Sequence, residues 1–75
     1  MSYFQYIERI TRLIQILKQG KTGTADSLSK KLHVSRRTVF RYLDELKLKG
    51  ADICYSKRRD TYLIKNDFNF KDHFL

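Results

Sequence analysis

Residues 35–50 read SRRTVFRYLDELKLKG, and this stretch decides the fold. Its apolar residues Val39, Leu43 and Leu46 recur at the spacing of one buried stripe on a helix. Ser35 can cap that helix, because its hydroxyl can accept a hydrogen bond from an N–H of the first turn. The pattern therefore predicts a helix that buries one side and leaves the other to solvent.

The exposed side of this helix carries arginine. At about 100° per residue, Arg37, Arg41 and Asp44 fall roughly opposite the buried stripe. Thr38 and Phe40 flank that face on either side. A helix that reads the major groove of DNA has this layout, since residues near its start contact base edges. Taken alone, the pattern is equally typical of a surface helix with a solvated basic face.

The composition is that of a small basic domain, and its positive charge favours a polyanionic partner. The chain has 75 residues and a formal net charge of +8, and its 41% of hydrophobic residues is too high for a disordered tail. One cysteine excludes an intramolecular disulfide and fits a reducing compartment. The N-terminal residues lack the basic and apolar regions of a signal peptide, and no apolar run is long enough to span a membrane. We therefore expect one domain in the cytoplasm, associated with the nucleoid, without membrane contact.

Two further helices are predicted upstream. Residues 3–19 follow the helical period up to Gly20, and their apolar arc is wide enough for a dimer contact. A small domain can instead bury such an arc against its own helices and sheet. Ile16 lies outside the arc and is expected to be exposed. Thr24 is the candidate N-cap of a second, short helix.

Residues 32–35 are expected to form a tight turn between the second helix and the third. Such a turn often requires a positive φ, which glycine adopts most easily and histidine more readily than most other residues. His33 holds that position, and we interpret it as a turn residue rather than a metal ligand or a base.

After residue 50 the hydrophobic period changes from helical to alternating. Residues 52–56 and 61–65 are two short β-rich runs joined by the polar loop 57–60, which predicts a hairpin. Four residues are expected to face inward, namely Ile53 and Tyr55 on the first strand and Tyr62 and Ile64 on the second.

The order of elements predicts a mainly helical domain with a small hairpin over residues 1–65, a three-helix bundle plus a wing. Residues 66–75 form an aromatic tail that we expect to be extended, or packed on the first helix or on a dimer partner. Its large apolar residues are Phe68, Phe70, Phe74 and Leu75.

A family resemblance rests on residues 24–39, TADSLSKKLHVSRRTV, followed by Arg41, Leu43, Leu46 and Gly50. This stretch resembles the DeoR-type winged helix-turn-helix. It is similar to the N-terminal DNA-binding domain of that bacterial repressor class and of regulators that add a ligand-sensing WYL domain. The resemblance covers roughly residues 5–65.

The resemblance implies which positions face DNA. The recognition helix, residues 35–49, would enter the major groove, and the wing, residues 57–60, would lie on the backbone or minor groove. Thr24 matches a position that contacts a phosphate. The remaining matched positions are Ser35, Arg36, Arg37, Thr38 and Arg41 on the helix and Lys57, Arg58 and Arg59 on the wing.

Among these, Arg37 and Arg41 are predicted to read bases, because an arginine fork can bind O6 and N7 of guanine together. The other cations, Arg36 and Lys47 on the helix and Lys57, Arg58 and Arg59 on the wing, are predicted to contact phosphate.

The chain departs from the family pattern at four points. His33 replaces the usual turn glycine, and Ser29 replaces a small apolar residue between the helices. Phe40 stands where a second arginine often occurs, so it meets either a thymine methyl or a protein partner. Family regulators usually continue into an effector domain, whereas this sequence stops ten residues after residue 65. We therefore expect a regulator without its own effector domain and without a small-molecule ligand.

The function predicted from the sequence is that of a sequence-specific regulator of transcription, bound to double-stranded DNA as a homodimer through the first helix and the tail. The alternative is a winged-helix adaptor that binds proteins through Phe40, the first helix and the tail. RNA binding is a lesser alternative, since the tyrosines are explained as core. Enzymatic activity, a cofactor and a metal are not expected, because two histidines and one cysteine supply neither a catalytic set nor four zinc ligands.

Overall fold

The computed structural model describes residues 2–68, in which three helices precede one β-hairpin. The helices are α1 (Tyr3–Gln19), α2 (Ala25–Leu32) and α3 (Arg36–Leu48). The strands are β1 (Ile53–Ser56) and β2 (Thr61–Ile64), which pair antiparallel. This is the predicted winged helix-turn-helix. None of the helices in this part of the chain combines the length and apolarity that a membrane span requires.

The ends of α1 are fixed by side-chain and backbone capping. The Ser2 hydroxyl accepts a hydrogen bond from the Gln5 N–H at 3.2 Å, and the Gln5 side chain accepts one from the Ser2 N–H, which completes a capping box. Gly20 ends the helix with a φ of 68°, and its N–H donates to carbonyls of the last turn. The predicted bounds of α1 are confirmed.

The turn between α2 and α3 also follows the prediction. Thr24 caps α2 by accepting from the Ser27 N–H at 3.2 Å. His33 adopts the left-handed conformation, with a φ of 57°, and ends α2. Ser35 then caps α3 by accepting from the Thr38 N–H at 3.1 Å. The chain therefore passes from α2 into α3 within three residues, and these caps fix the direction in which α3 leaves α2.

One apolar core joins all the elements. Each helix contributes its inward stripe, and the hairpin and the segment after it close the remaining side. Burial of each large aliphatic side chain stabilises the fold by about 1.5–3 kcal/mol. The principal core residues are Ile10, Leu13, Ile14, Leu17, Leu28, Leu32, Val39, Tyr42, Leu43, Leu46, Ala51, Ile53 and Phe68.

The prediction that Ile16 is exposed was wrong. Ile16 is half-buried and packs against the core. The physical reason is that Ile16 lies at the groove between α1 and α2: Ile16 and Lys31 both line this groove, and the Lys31 ammonium donates to the Lys21 carbonyl at 2.6 Å.

The hairpin pairs as predicted but turns only part of its apolar face inward. Ile53 pairs with Ile64, and Tyr55 pairs with Tyr62. Ile53 is buried, whereas Tyr55 is 39% exposed, so the inward placement of Tyr55 was wrong. The tyrosine pair lies two residues nearer the loop, and the two rings pack edge to face at 4.8 Å between centroids. Nearer the loop, the two strands therefore also pack against each other through these tyrosine rings.

The segment after β2 returns to the core. The Asn66 side chain accepts from the Asp52 N–H at 3.0 Å and donates to the Gly50 carbonyl at 2.8 Å. Phe68 then enters the core and is 3% exposed. The rest of the aromatic tail, with Phe70 and Phe74, lies outside the described residues, so the predicted boundary after residue 65 stays a prediction.

Candidate nucleic-acid interface

The exposed face of α3 carries the arginines that the sequence singled out. Arg36, Arg37 and Arg41 are all exposed, while Val39 and its stripe are buried on the opposite side. Phe40 is 44% exposed among them. Arg37, Thr38, Phe40 and Arg41 line one shallow groove, together with Asp44, Glu45 and Leu48. The structure therefore brings four of the predicted contact residues onto one surface.

The two hydroxyl residues at the start of α3 bind each other. The Ser35 and Thr38 hydroxyl oxygens are 3.0 Å apart, in addition to the backbone bond that caps the helix. A hydroxyl has one donor hydrogen. One hydrogen is used between the pair, and the other remains free to donate outward. The Ser35 hydroxyl thus serves first as the cap of α3, and the Thr38 hydroxyl contacts that cap.

Arg41 lies beside a carboxylate and an aromatic ring. Its Nε lies 3.8 Å from Glu45 Oε1, and its guanidinium carbon lies 6.0 Å from the centre of the Tyr42 ring. The other carboxylate oxygen, Glu45 Oε2, accepts a hydrogen bond from the Tyr6 hydroxyl on α1. Burial, with the hydrogen bond to Glu45 and its charge, raises the pKa of Tyr6 well above its usual value. Tyr6 is therefore a neutral donor at physiological pH.

The wing is a four-residue loop with three exposed cations, Lys57, Arg58 and Arg59. The Arg59 N–H donates to the Ser56 hydroxyl at 3.3 Å, and Asp60 closes the loop with a φ of 50°. These contacts give the loop a defined backbone and direct charged side chains into solvent.

A buried pair of threonines ties the wing to the start of the helix-turn-helix. Thr22 is fully buried, Thr61 is 4% exposed, and their hydroxyl oxygens are 3.0 Å apart. Thr61 Oγ1 also accepts from the Gly23 N–H at 3.0 Å, and Thr22 Oγ1 accepts from the Tyr62 N–H at 2.8 Å. These bonds join the α1–α2 connector to β2, so the wing has a fixed position relative to α2.

The charge of Arg36, the first arginine of α3, acts on a tyrosine of the hairpin. Burial raises the pKa of Tyr62 on β2, and the positive charge of Arg36 partly offsets this shift. Arg36 and the three wing cations are all exposed to solvent.

Thr24 and Lys47 do not line the groove that contains Arg37, Thr38, Phe40 and Arg41. Thr24 uses an acceptor lone pair for the α2 cap, which leaves its O–H as a donor. Lys47 is exposed near the end of α3.

Within residues 2–68, no three side chains of the His, Cys, Asp and Glu types are grouped so as to hold a metal ion.

Comparison with known families bears on this arrangement. A family model described as an HTH domain matches residues 9–62. The chain belongs to this helix-turn-helix family. The matched range of the HTH domain runs from within α1 to within β2, so it includes the turn at His33, α3 and the wing loop. DNA binding is the function that the HTH family indicates.

No curated protein and no solved structure gives a match to the chain. The finer resemblance of this HTH domain to the DeoR-type class therefore stays a prediction.

Three side-chain contacts of the HTH domain were missed from the sequence. Glu45 lies four residues after Arg41, which is the spacing of an ion pair along a helix, and this signal was visible. The sequence gives no such signal for Tyr6, because Tyr6 and its partner Glu45 are 39 positions apart in the chain. The contact of Thr22 with Thr61 also spans 39 positions, and neither residue stood out from its neighbours.

Proposed function

We propose that this HTH domain is a sequence-specific regulator of transcription that binds double-stranded DNA. In the proposed complex α3 lies in the major groove and the wing lies on the backbone or minor groove. The observation that carries the proposal is the exposed arginine face of α3, together with a wing whose three cations are also exposed. The formal net charge of +8 supports binding to a polyanion.

Each exposed side chain has a role in this proposal. Arg37 and Arg41 bind base edges, and Phe40 meets a thymine methyl group. The hydroxyls of Thr24 and of the Ser35–Thr38 pair donate to phosphate oxygens. The phosphate-binding cations are Arg36 and Lys47 on α3 and Lys57, Arg58 and Arg59 on the wing.

A homodimer on a repeated half-site is part of the proposal. Tyr3 is 65% exposed and Phe4 is 71% exposed at the start of α1, so apolar surface is available there for a second copy. Two-fold protein symmetry would then be matched by a palindromic site.

The test begins with selection of bound sites from random duplex DNA at moderate salt. We expect an enriched motif whose symmetry reports the stoichiometry. Arg37→Ala should then lower the preference for the selected site over scrambled DNA by about 1–3 kcal/mol, because one bidentate base contact is lost.

Arg12→Ala is the matched control. Arg12 is exposed on α1, so its removal changes the net charge equally without touching α3. It should leave the preference for the selected site unchanged. Equal losses on selected and scrambled DNA for Arg37→Ala would contradict the base-reading role of Arg37.

The protein-binding adaptor remains the second candidate, because α3 exposes apolar side chains beside its arginines. Leu48 is 88% exposed and Phe40 is 44% exposed. Negligible affinity for duplex DNA at low salt would favour the adaptor over the regulator, since non-specific binding by a basic DNA-binding domain is strongest there.

A further inference from the structure

One carboxylate on α3 connects α1 to an arginine of the recognition surface. Glu45 Oε2 accepts from the Tyr6 hydroxyl, and Glu45 Oε1 lies 3.8 Å from Arg41 Nε. The two oxygens of one side chain thus serve two partners on different helices. The Glu45 side chain is 34% exposed, whereas that of Arg41 is 64% exposed. Glu45 is therefore partly buried, and the arginine that it contacts lies at the surface.

The Tyr6 contact changes what the Arg41–Glu45 pair can do. An exposed ion pair one helical turn apart is weak, because both long side chains must be ordered to form it. Here Glu45 is already held by a hydroxyl from another helix. Tyr6 itself packs edge to face on the buried Tyr42, with ring centroids 5.6 Å apart. Only the arginine remains to be ordered.

The pair leaves the terminal nitrogens of Arg41 available. A guanidinium has five N–H donors in a fixed plane, and Glu45 approaches it at Nε. The guanidinium carbon also lies 6.0 Å from the Tyr42 ring centre, which is the outer range of a cation–π contact. The two Nη groups at the far end can still bind O6 and N7 of a guanine.

We propose that Tyr6 and Glu45 are positioning residues that hold the Arg41 guanidinium in the orientation for a base contact. This inference rests on the proposed function, because it assigns the readout by Arg41 to a network that begins on α1. Neither Tyr6 nor Glu45 needs to touch DNA for this role. Their contribution lies in the discrimination between sequences rather than in overall affinity.

The experiment is a double-mutant cycle of Tyr6→Phe and Arg41→Ala, with affinities measured for the selected site and for a scrambled duplex. Tyr6→Phe removes the hydroxyl and retains the ring that packs on Tyr42. We expect it to lower the ratio of the two affinities roughly threefold to tenfold. Arg41→Ala should lower the ratio by about 5- to 150-fold. In the Arg41→Ala background, Tyr6→Phe should then leave the ratio unchanged.

Glu45→Gln gives a second route to the same answer, with Glu8→Gln as its control. Both variants remove one negative charge, and Glu8 is exposed on α1. Both should raise the affinity for any duplex, but only Glu45→Gln should lower the ratio for the selected site. Measurements are made at a temperature where circular dichroism shows that every variant is folded. A general loss of folded protein would lower the affinities for both duplexes by the same factor and would leave their ratio unchanged.

The outcomes separate this inference from the function on which it rests. If the wild-type chain does not prefer any sequence, the proposed function fails and the inference fails with it. If the wild type discriminates but Tyr6→Phe and Glu45→Gln do not change the ratio, only the positioning role is overturned. An equal effect of Tyr6→Phe with and without Arg41 would also overturn it, because the effect would not act through that arginine.

Discussion

His33 determines the geometry of the turn at the cost of backbone strain. Its φ of 57° lies in the left-handed region, where a Cβ atom meets the following carbonyl. The side chain is exposed and contributes little packing to offset this strain. The strain is tolerable because histidine is among the residues enriched at positive φ.

We therefore expect His33→Gly to raise the free energy of unfolding by up to about 1 kcal/mol, since glycine removes the steric cost. Urea denaturation followed by circular dichroism measures the change. Lys30→Gly, an exposed position inside α2, should have the opposite sign and lose about 1 kcal/mol. A loss of stability for His33→Gly would show that the imidazole contributes more than its exposure indicates.

At the scale of elements, the hydrogen bonds of Thr22 and Thr61 fix the position of the hairpin relative to the helices. Thr61 Oγ1 is the acceptor for the Gly23 N–H, and it meets the buried Thr22 hydroxyl. The connector between α1 and α2 therefore finds its hydrogen-bond partners on β2. Removal of one hydroxyl would leave buried polar groups without partners.

Thr61→Val should lower the free energy of unfolding by about 1–3 kcal/mol, because the side chain keeps its shape and loses its hydrogen bonds. Thr11→Val is the matched control, since the Thr11 hydroxyl donates only to the Ile7 carbonyl within its own helix. We expect the control to change stability by less than about 0.5 kcal/mol in a urea titration. Similar values for the two variants would mean that the pair does not hold the wing.

In the proposed complex the wing cations contribute to binding through their charge. Replacing Arg58 and Arg59 together with alanine should reduce the slope of log affinity against log salt by about two, since two phosphate contacts are lost. The preference between sequences should stay unchanged, because phosphates carry no sequence information. Fluorescence anisotropy over a salt series measures both quantities.

Arg12→Ala combined with Lys18→Ala is the control, because both residues are exposed on α1. These two changes remove the same charge away from the wing and should leave the salt slope nearly unchanged. A reduced preference between sequences for the wing variant would instead assign base contacts to the wing.

The elements themselves could be predicted from local patterns, whereas the contacts between them could not. Periodicity and capping residues predicted all three helices, and the position of His33 in the turn, together with its residue type, predicted its left-handed conformation. Periodicity reports which side of an element faces inward, but it does not report which residue lies opposite. The partners Thr22 and Thr61, and Tyr6 and Glu45, are 39 positions apart and were therefore missed.

On the scale of the whole molecule, the fold depends on a single thin core. A domain of this size has a net stability of only a few kcal/mol, so each large buried side chain is a substantial fraction of the total. Phe68, which follows the hairpin, is one of these side chains. The segment after β2 therefore contributes a side chain to this core.

Phe68→Ala should lower the free energy of unfolding by about 3–5 kcal/mol, through lost burial and a residual cavity. Phe4→Ala provides the comparison, because Phe4 is 71% exposed and should change stability by less than about 0.5 kcal/mol. Both are measured by urea denaturation of the 75-residue chain. A small effect of Phe68→Ala would show that the core closes without it.

The bonds that Thr22 and Thr61 make have a consequence for the duplex in the proposed complex. They fix the position of the wing relative to the connector between α1 and α2 before any nucleic acid binds. A wing in a preset position does not adjust to the shape of the duplex, so a duplex that bends or narrows easily matches it at lower cost. Operators with easily deformed base steps beneath the wing will then be preferred, even at positions that no side chain reaches.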